Sequence, residues 1–325
     1  MKDPMKSQIA RPTLDDIIQA ANRIKPYIHR TPVMTSENIS RLTGAMLFFK
    51  CENLQKAGAF KSRGACNGVF SLSPEELSRG VATHSSGNHA QALARAASLR
   101  GTTAYVVMPE TAPIIKVNAV KHYGGKITFC QPTLAAREET LQKIIGETGA
   151  REIHPYNDLR TITGQATAAM EFLADTDDLD ILLAPVGGGG LLSGTALSTS
   201  YLSPATRVIG AEPAMADDAS RSFREKTFFP SENPRTIADG LLTSLGTLTF
   251  PIILDLVSDI LTVSEASIIQ AMQLTWERMK IIIEPSSAVP LAAVLEHPSV
   301  FRNKRTGIII SGGNCDLMKL PWLTH

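Results

Sequence analysis

At 325 residues, with 32 Lys+Arg against 31 Asp+Glu and 43% hydrophobic residues, the sequence describes a globular chain of about two domains, without the excess basic charge that a polyanionic partner needs. No basic run is interleaved with aromatics, which argues against nucleic acid, and no apolar run approaches the ~18 residues needed to cross a bilayer, which argues against a membrane. The opening MKDPMKSQIARP lacks an apolar core, so no secretory signal is expected. The four cysteines (Cys51, Cys66, Cys130, Cys315) form no CxxC pair and are predicted to be buried free thiols of a cytoplasmic protein.

The elements follow in chain order. AMLFFKCEN reads as a strand, and GAFKSRGA (58–65) after it sets Lys61 on a turn bracketed by Gly58 and Gly64, with Arg63 close behind. Burying an ammonium is costly, so Lys61 is either a surface lysine at a helix start or a lysine meant to lose its proton and act as a nucleophile. GVATHS is a strand and NHAQALARAASLRG a helix closed by Gly101; TTAYVVMP, APIIKVNAVKHYGG and KITFCQ repeat the rhythm as strand, helix and strand. LAAREETLQKIIGETG is helical, with apolar residues at Leu134, Leu141, Ile144 and Ile145. Helix TGQATAAMEFLAD, strand DILLAPV, a glycine loop, helix LLSGTALSTSYL and strand RVIGAE continue the alternation. Helices EASIIQAMQLTWERMK and PSSAVPLAAVLEH and strand TGIIIS complete it, and 217–250 is the least regular stretch. Short loops between strands and helices predict an α/β fold with parallel sheets, in two units with a cleft between them.

Four loops at strand ends or helix starts carry the candidate chemistry, the Lys61 turn being the first. SSGNH, Ser85 to His89, offers hydroxyls, an amide and a helix N-terminus to a small anion such as a carboxylate, or simply caps the helix. In PVGGGGLLSG, Gly187, Gly188, Gly189 and Gly190 suggest a backbone cradle for a monophosphate, though a merely flexible loop has the same composition. The spacing is not GxGxxG and no P-loop lysine follows. In IIISGGNCD, Ser311 ends a strand before two glycines, where it either faces a ligand ring or starts a turn. AEPAMADDA sets Glu212 and Asp218 around the Ala216 carbonyl, oxygens that suit Mg²⁺ or Ca²⁺ or are only solvated.

One ligand answers a glycine cradle, a reactive lysine and a hydroxyl at a ring: pyridoxal 5′-phosphate, with its phosphate, aldehyde and pyridine nitrogen. From RTPV at 30–33 through FFKCENLQKAGAFKSRGA, THSSGNHAQALA, GGGGLLSG, AEPAMADDA, EPSSAVPLAA and SGGNCD, the chain resembles the fold-type II pyridoxal-phosphate enzymes, the serine/threonine dehydratase and serine racemase group that includes the threo-3-hydroxyaspartate ammonia-lyases. The resemblance covers nearly the whole length. It implies a two-domain, tryptophan synthase β-like fold with a large domain of residues 1–52 and 151–325, a small mobile domain of residues 53–150, and a homodimer.

Residue by residue, the resemblance implies that Lys61 carries the cofactor, Phe60 and Asn88 contact its ring and hydroxyl, Gly187–Gly190 with Leu191 hold the phosphate, and Ser311 meets the ring nitrogen. Ser85, Ser86, Gly87, Asn88 and His89 would bind the substrate carboxylate, and Glu212, Ala216 and Asp218 a divalent metal. Tyr156, in HPYND, stands where some relatives have asparagine. The implied reaction removes water and ammonia from a small β-hydroxy amino acid (serine, threonine or threo-3-hydroxyaspartate) to give a 2-keto acid. Ser86 leaves open a second reading, a serine racemase with side elimination, in which its hydroxyl faces Cα opposite Lys61. A third, a nucleotide-binding or nicotinamide-dependent protein, leaves Lys61 unexplained and lacks the acidic ribose residue.

Overall fold

The computed structural model describes residues 11–323. Ten strands form two sheets: β1 (Val33–Thr35), β2 (Met46–Cys51), β3 (Val81–His84), β4 (Ala104–Pro109), β5 (Lys126–Cys130), β6 (Arg151–Glu152), β7 (Ile181–Pro185), β8 (Arg207–Pro213), β9 (Asp259–Val263) and β10 (Arg305–Ile310). The six-stranded sheet runs β1-β2-β10-β7-β8-β9 and the four-stranded sheet β5-β4-β3-β6. Every pairing is parallel except β1 with β2. The α/β expectation holds.

The apolar runs explain the layering. In β7, Ile181 and Leu183 enter one core with Val289 and Met272 of the helices Pro285–Glu296 and Glu265–Met279, while Leu182 and Ala184 enter another with Leu191 and Leu192. A strand buried on both faces has no polar side to alternate with, hence its continuous hydrophobicity. The smaller sheet is covered likewise, with Val106 and Met108 in one cluster and Val107 in another. Cys51, Cys66 and Cys130 are buried, Cys315 is partly exposed, and all are free. No helix among the described residues is long and apolar enough to cross a membrane.

Two differences from the sequence reading stand out. The two-residue β6, at the start of the stretch assigned to the large domain, pairs with β3 in the smaller sheet through Val81↔Arg151 and Ala82↔Glu152. A pair that short has no periodicity to read. The irregular 217–250 stretch also holds the helix Asp218–Glu225 and the start of the helix Thr249–Leu256.

The helix Lys61–Phe70 crosses the helix Leu159–Asp175 in near contact, since a Cβ on Gly164 would lie 2.6 Å from Gly64 Cα. Beside that crossing Arg63 is fully buried: its guanidinium donates to Glu52 at 2.7 and 2.8 Å and to Glu171 at 2.9 and 2.7 Å. The turn bearing Lys61 is thereby tied to the helix Leu159–Asp175. The loops after β3, β7 and β10 open at the C-terminal ends of parallel strands, where open α/β sheets bind ligands.

Candidate active site

Lys61 opens its helix, and the turn before it is held by the loop after β10: Phe60 N–H donates to Ser311 O at 2.9 Å and Gly313 N–H to Gly58 O at 2.9 Å. Lys61 Nζ donates to Pro155 O at 2.8 Å and lies 5.0 Å from the centroid of the Phe60 ring. Burial lowers its pKa to about 8 against the pull of Glu284. Roughly a tenth of such an amine is neutral at pH 7, far more than for a surface lysine. Of the two sequence-level options, the nucleophile has the better physical support.

Around the lysine lies a polar set. Asn88 Nδ2 donates to both Glu284 oxygens, at 2.8 and 3.1 Å, while Asn314 Nδ2 donates to Asn88 Oδ1 at 2.9 Å and to Ala57 O at 2.8 Å. Burial pushes the Glu284 carboxyl up to about 7, with the Asn88 hydrogen bond opposing the rise. Ser311 is buried with its Oγ 2.9 Å from Ser287 Oγ; Ser287 Oγ also donates to Gly312 O at 2.6 Å and accepts from Gly312 N–H at 2.7 Å. A hydroxyl has one proton. With Ser287 spending its own on Gly312 O, Ser311 is the donor of the pair and can redirect that proton to a ligand.

The glycine loop leaves β7 and enters the helix Gly190–Leu202 through Gly189, whose φ is 86°. Among the described residues, no hydrogen bond engages the N–H groups of Gly187 to Leu191, all buried. Unpartnered buried amides at a helix N-terminus are what a phosphate satisfies. The donor set therefore fits pyridoxal phosphate: amides for its phosphate, a low-pKa lysine for its aldehyde, and a neutral hydroxyl, Ser311, for its ring nitrogen.

In the SSGNH loop, Ser85 N–H donates to Val107 O at 3.1 Å and Gly87 N–H to Ser85 Oγ at 3.3 Å, and the Ser86 hydroxyl makes no hydrogen bond. His89 is buried beneath the loop with Nε2 2.8 Å from Ile153 O, and burial lowers its pKa to about 3. His154 is likewise driven down to about 4 by burial, and its Nδ1 accepts from Tyr156 N–H at 3.3 Å and Asn157 N–H at 2.9 Å. Both imidazoles near Lys61 are thus neutral and leave the lysine's charge alone.

Glu212 and Asp218 come together as the sequence suggested. Glu212 accepts from Ala219 N–H at 3.0 Å and Ser220 N–H at 2.8 Å, while both Asp218 oxygens are buried without a partner. Burial and the mutual charge raise Glu212 well above its ordinary value, and burial raises Asp218 to about 6. No group of three or more His, Cys, Asp or Glu side chains able to hold a metal occurs among the described residues. Any ion here would lean on carbonyls such as that of Ala216 and on water.

Sequence reasoning missed Glu284, Ser287, Asn314 and the Pro155 carbonyl as neighbours of the lysine. Glu284 and Ser287 sit in EPSSAVPLAA, where a carboxylate before Pro285 at a helix start in an apolar context was the available signal.

An open α/β fold with a buried lysine facing an amide cradle defines an enzyme built around a phosphate-bearing aldehyde cofactor. Residues 24–312 match the pyridoxal-phosphate dependent enzyme family, and the chain belongs to that family. It is 54% identical over 311 residues to the beta-hydroxyaspartate dehydratase of Paracoccus denitrificans, covering 96% of this chain and 99% of that one. Of solved structures, it resembles the serine racemase of Dictyostelium discoideum (TM-score 0.91, 52% identity, 95% of this chain and 100% of that one). A bacterial-strain threonine deaminase, from T.th., is also similar (TM-score 0.90, 44% identity, 94% and 99%). The architecture is that of the fold-type II enzymes.

Proposed function

We propose that this protein is a pyridoxal-phosphate-dependent ammonia-lyase that removes water and ammonia from a small β-hydroxy amino acid, with threo-3-hydroxyaspartate the first substrate to test. The observation that carries the reading is Lys61: buried, lowered to about 8 and 2.8 Å from Pro155 O, it is an amine kept reactive within the cradle's reach. The likeness to a beta-hydroxyaspartate dehydratase supports the choice of substrate.

When bound, pyridoxal phosphate supplies an electron sink for the charge left at Cα. Lys61 removes the α-proton from one face. Ser311, a neutral hydroxyl, does not force the ring nitrogen to stay protonated, and the milder sink favours prompt loss of the β-hydroxyl, which takes up one proton and leaves as water. The released enamine tautomerises and hydrolyses to a 2-keto acid and ammonia. Ser85, Ser86, Gly87 and the amides opening the helix Asn88–Leu99 receive the substrate carboxylate, Asn88 is steadied by Glu284 and Asn314, and His89 braces the loop from below.

Further parts of the reading are a divalent cation at Glu212, Ala216 and Asp218, supported by the unpartnered Asp218 oxygens, closure of the 53–150 unit on the substrate, a homodimer, and a cytoplasmic setting consistent with the free thiols. A serine racemase is the second reading, favoured by the free Ser86 hydroxyl as a donor for the other face of Cα.

The test is to incubate the purified protein with L-threo-3-hydroxyaspartate, L-serine and L-threonine while measuring keto acid and D-isomer together. Keto acid should dominate, and borohydride should fix the cofactor on the peptide containing Lys61. Ser86→Ala should abolish D-isomer while retaining some elimination, whereas equal loss of both makes Ser86 a binding residue. Label on another lysine would falsify the site.

A further inference from the structure

The two ends of the cofactor site are joined by one short piece of chain. Pro155 O accepts from Lys61 Nζ at 2.8 Å. The next residue, Tyr156, lays its ring on the glycine loop: a Cβ on Gly188 would fall 2.3 to 2.5 Å from Tyr156 ring atoms, and one on Gly190 would fall 2.9 Å from Tyr156 Cβ. The residue after that, Asn157, accepts from Leu248 N–H at 2.8 Å and donates to Thr247 Oγ1 at 3.1 Å. Gly246 N–H donates in turn to Thr249 Oγ1 at 2.8 Å, and Thr249 Oγ1 donates to Gly188 O at 2.8 Å. Asn157, the 246–249 turn, Gly188 and Tyr156 thus close a ring of contacts around the cradle. His154 clamps the start, its Nδ1 accepting both following amides and its carbonyl accepting from Thr161 Oγ1 at 3.0 Å.

We propose that His154–Asn157 is a strap that fixes the spacing between Lys61 and the glycine loop, with Tyr156 the positioning residue for the phosphate-binding amides. Four glycines in a row are entropically loose, and amides bind an anion sharply only when something holds them in place. The Tyr156 ring fills the space that side chains on Gly188 and Gly190 would take. Those two glycines are therefore small for the tyrosine, and the loop is ordered by a residue outside it. The inference rests on the reading that Lys61 takes the cofactor's aldehyde and the loop its phosphate.

Cofactor-free protein, prepared with hydroxylamine, should be titrated with pyridoxal phosphate and with pyridoxal, which has the same ring and aldehyde but no phosphate. The native protein should prefer pyridoxal phosphate. In Tyr156→Ala that preference should shrink about tenfold, with pyridoxal binding little changed, and Tyr156→Phe should restore it. Tyr156→Leu serves in its place if the alanine variant does not fold. In the cofactor-free protein, Gly188→Ala should lower the melting temperature strongly in the native background and far less beside Tyr156→Ala. An unchanged preference in Tyr156→Ala, or an equal cost of Gly188→Ala in both backgrounds, overturns the strap. A native protein that binds both aldehydes equally instead removes the phosphate reading beneath it.

Discussion

Two buried clusters of charge lie in this molecule, and they are built on opposite plans. Beside the lysine helix, Arg63 and Lys50 meet Glu52 and Glu171: Lys50 Nζ donates to Glu171 at 2.9 Å and to Thr31 O at 2.8 Å, Arg63 spans both carboxylates, and Thr31 Oγ1 caps Glu52. Opposite charges balance, and among the described residues no nitrogen or oxygen of these side chains is buried without a partner. At the other cluster, Glu212 and Asp218 are acids without a buried cation, and Asp218 makes no hydrogen bond through either oxygen. Burial acts on both. It pushes the Glu171 carboxyl up, but the Arg63 and Lys50 contacts outweigh it and the net direction is down; Glu212 and Asp218 go up with no buried cation beside them. The first cluster is complete in itself. The second has the electrostatics of a site that something positive completes.

The largest expected effect breaks the self-sufficient cluster. Arg63→Met keeps the bulk and removes the charge, leaving Glu52 fully buried opposite nothing. Breaking a buried pair from one side costs about 3–5 kcal/mol. Urea unfolding of the variant should show a loss of that order. Glu52→Gln in the same chain should recover part of it, since the uncompensated charge is then gone. A loss under about 1 kcal/mol would mean that the glycine crossing alone seats the lysine helix.

The next effect completes the other cluster. With Mg²⁺ or Ca²⁺ at a hundredfold excess over its dissociation constant, the native protein should gain about 2.7 kcal/mol, and Asp218→Asn should gain nothing. Under chelation the order should reverse, with Asp218→Asn the more stable of the two. Its advantage has a defined pH course. The folded Asp218 pKa of about 6 lies above the ordinary 3.8, so the folded state binds the extra proton between those values. Stability from that group is present below the lower value and is lost as pH rises through the upper one. The gap between the variant and the native protein in melting temperature should therefore widen from pH 4 to pH 7 in chelator, and close when metal is added. A gap that ignores both pH and metal would make the acids a structural pair like any other.

The clusters also mark how far the sequence could be read. The strands and the three loops at their ends were legible because parallel strands are continuous apolar runs and loops announce themselves with glycine and serine. Lys61, the Gly187–Gly190 loop and Ser311 were named from those signals. Arg63 was noticed without an explanation, because its partner Glu171 lies 108 residues away and an ion pair at that separation leaves no local pattern. Tyr156 registered only as a departure from relatives; its seat on Gly188 follows from how the chain returns from β6, a strand of two residues. His89 read as a ligand-loop residue, yet its place against Ile153 O depends on which way a helix turns its first residues. What the sequence hides is the pairing of distant segments.

The smallest expected effect sharpens the comparison from within the complete cluster. Lys50 is as deeply buried as Arg63, so burial alone predicts equal consequences for removing either. Their partners predict otherwise. Lys50→Met leaves Glu171 with its two Arg63 hydrogen bonds, and Asp175, 3.7 Å from Lys50, retains its ion pair with Arg30. Only the Thr31 carbonyl loses its charged donor, and the methionine stem occupies nearly the same volume as the lysine's. The cost should be about 1–2 kcal/mol, that of one buried hydrogen bond to a charged group, measured by the same urea titration. If instead Lys50→Met destabilises as much as Arg63→Met, the four charges act as one indivisible unit, and neutrality of the whole, rather than the hydrogen bonds of each member, is what the cluster depends on.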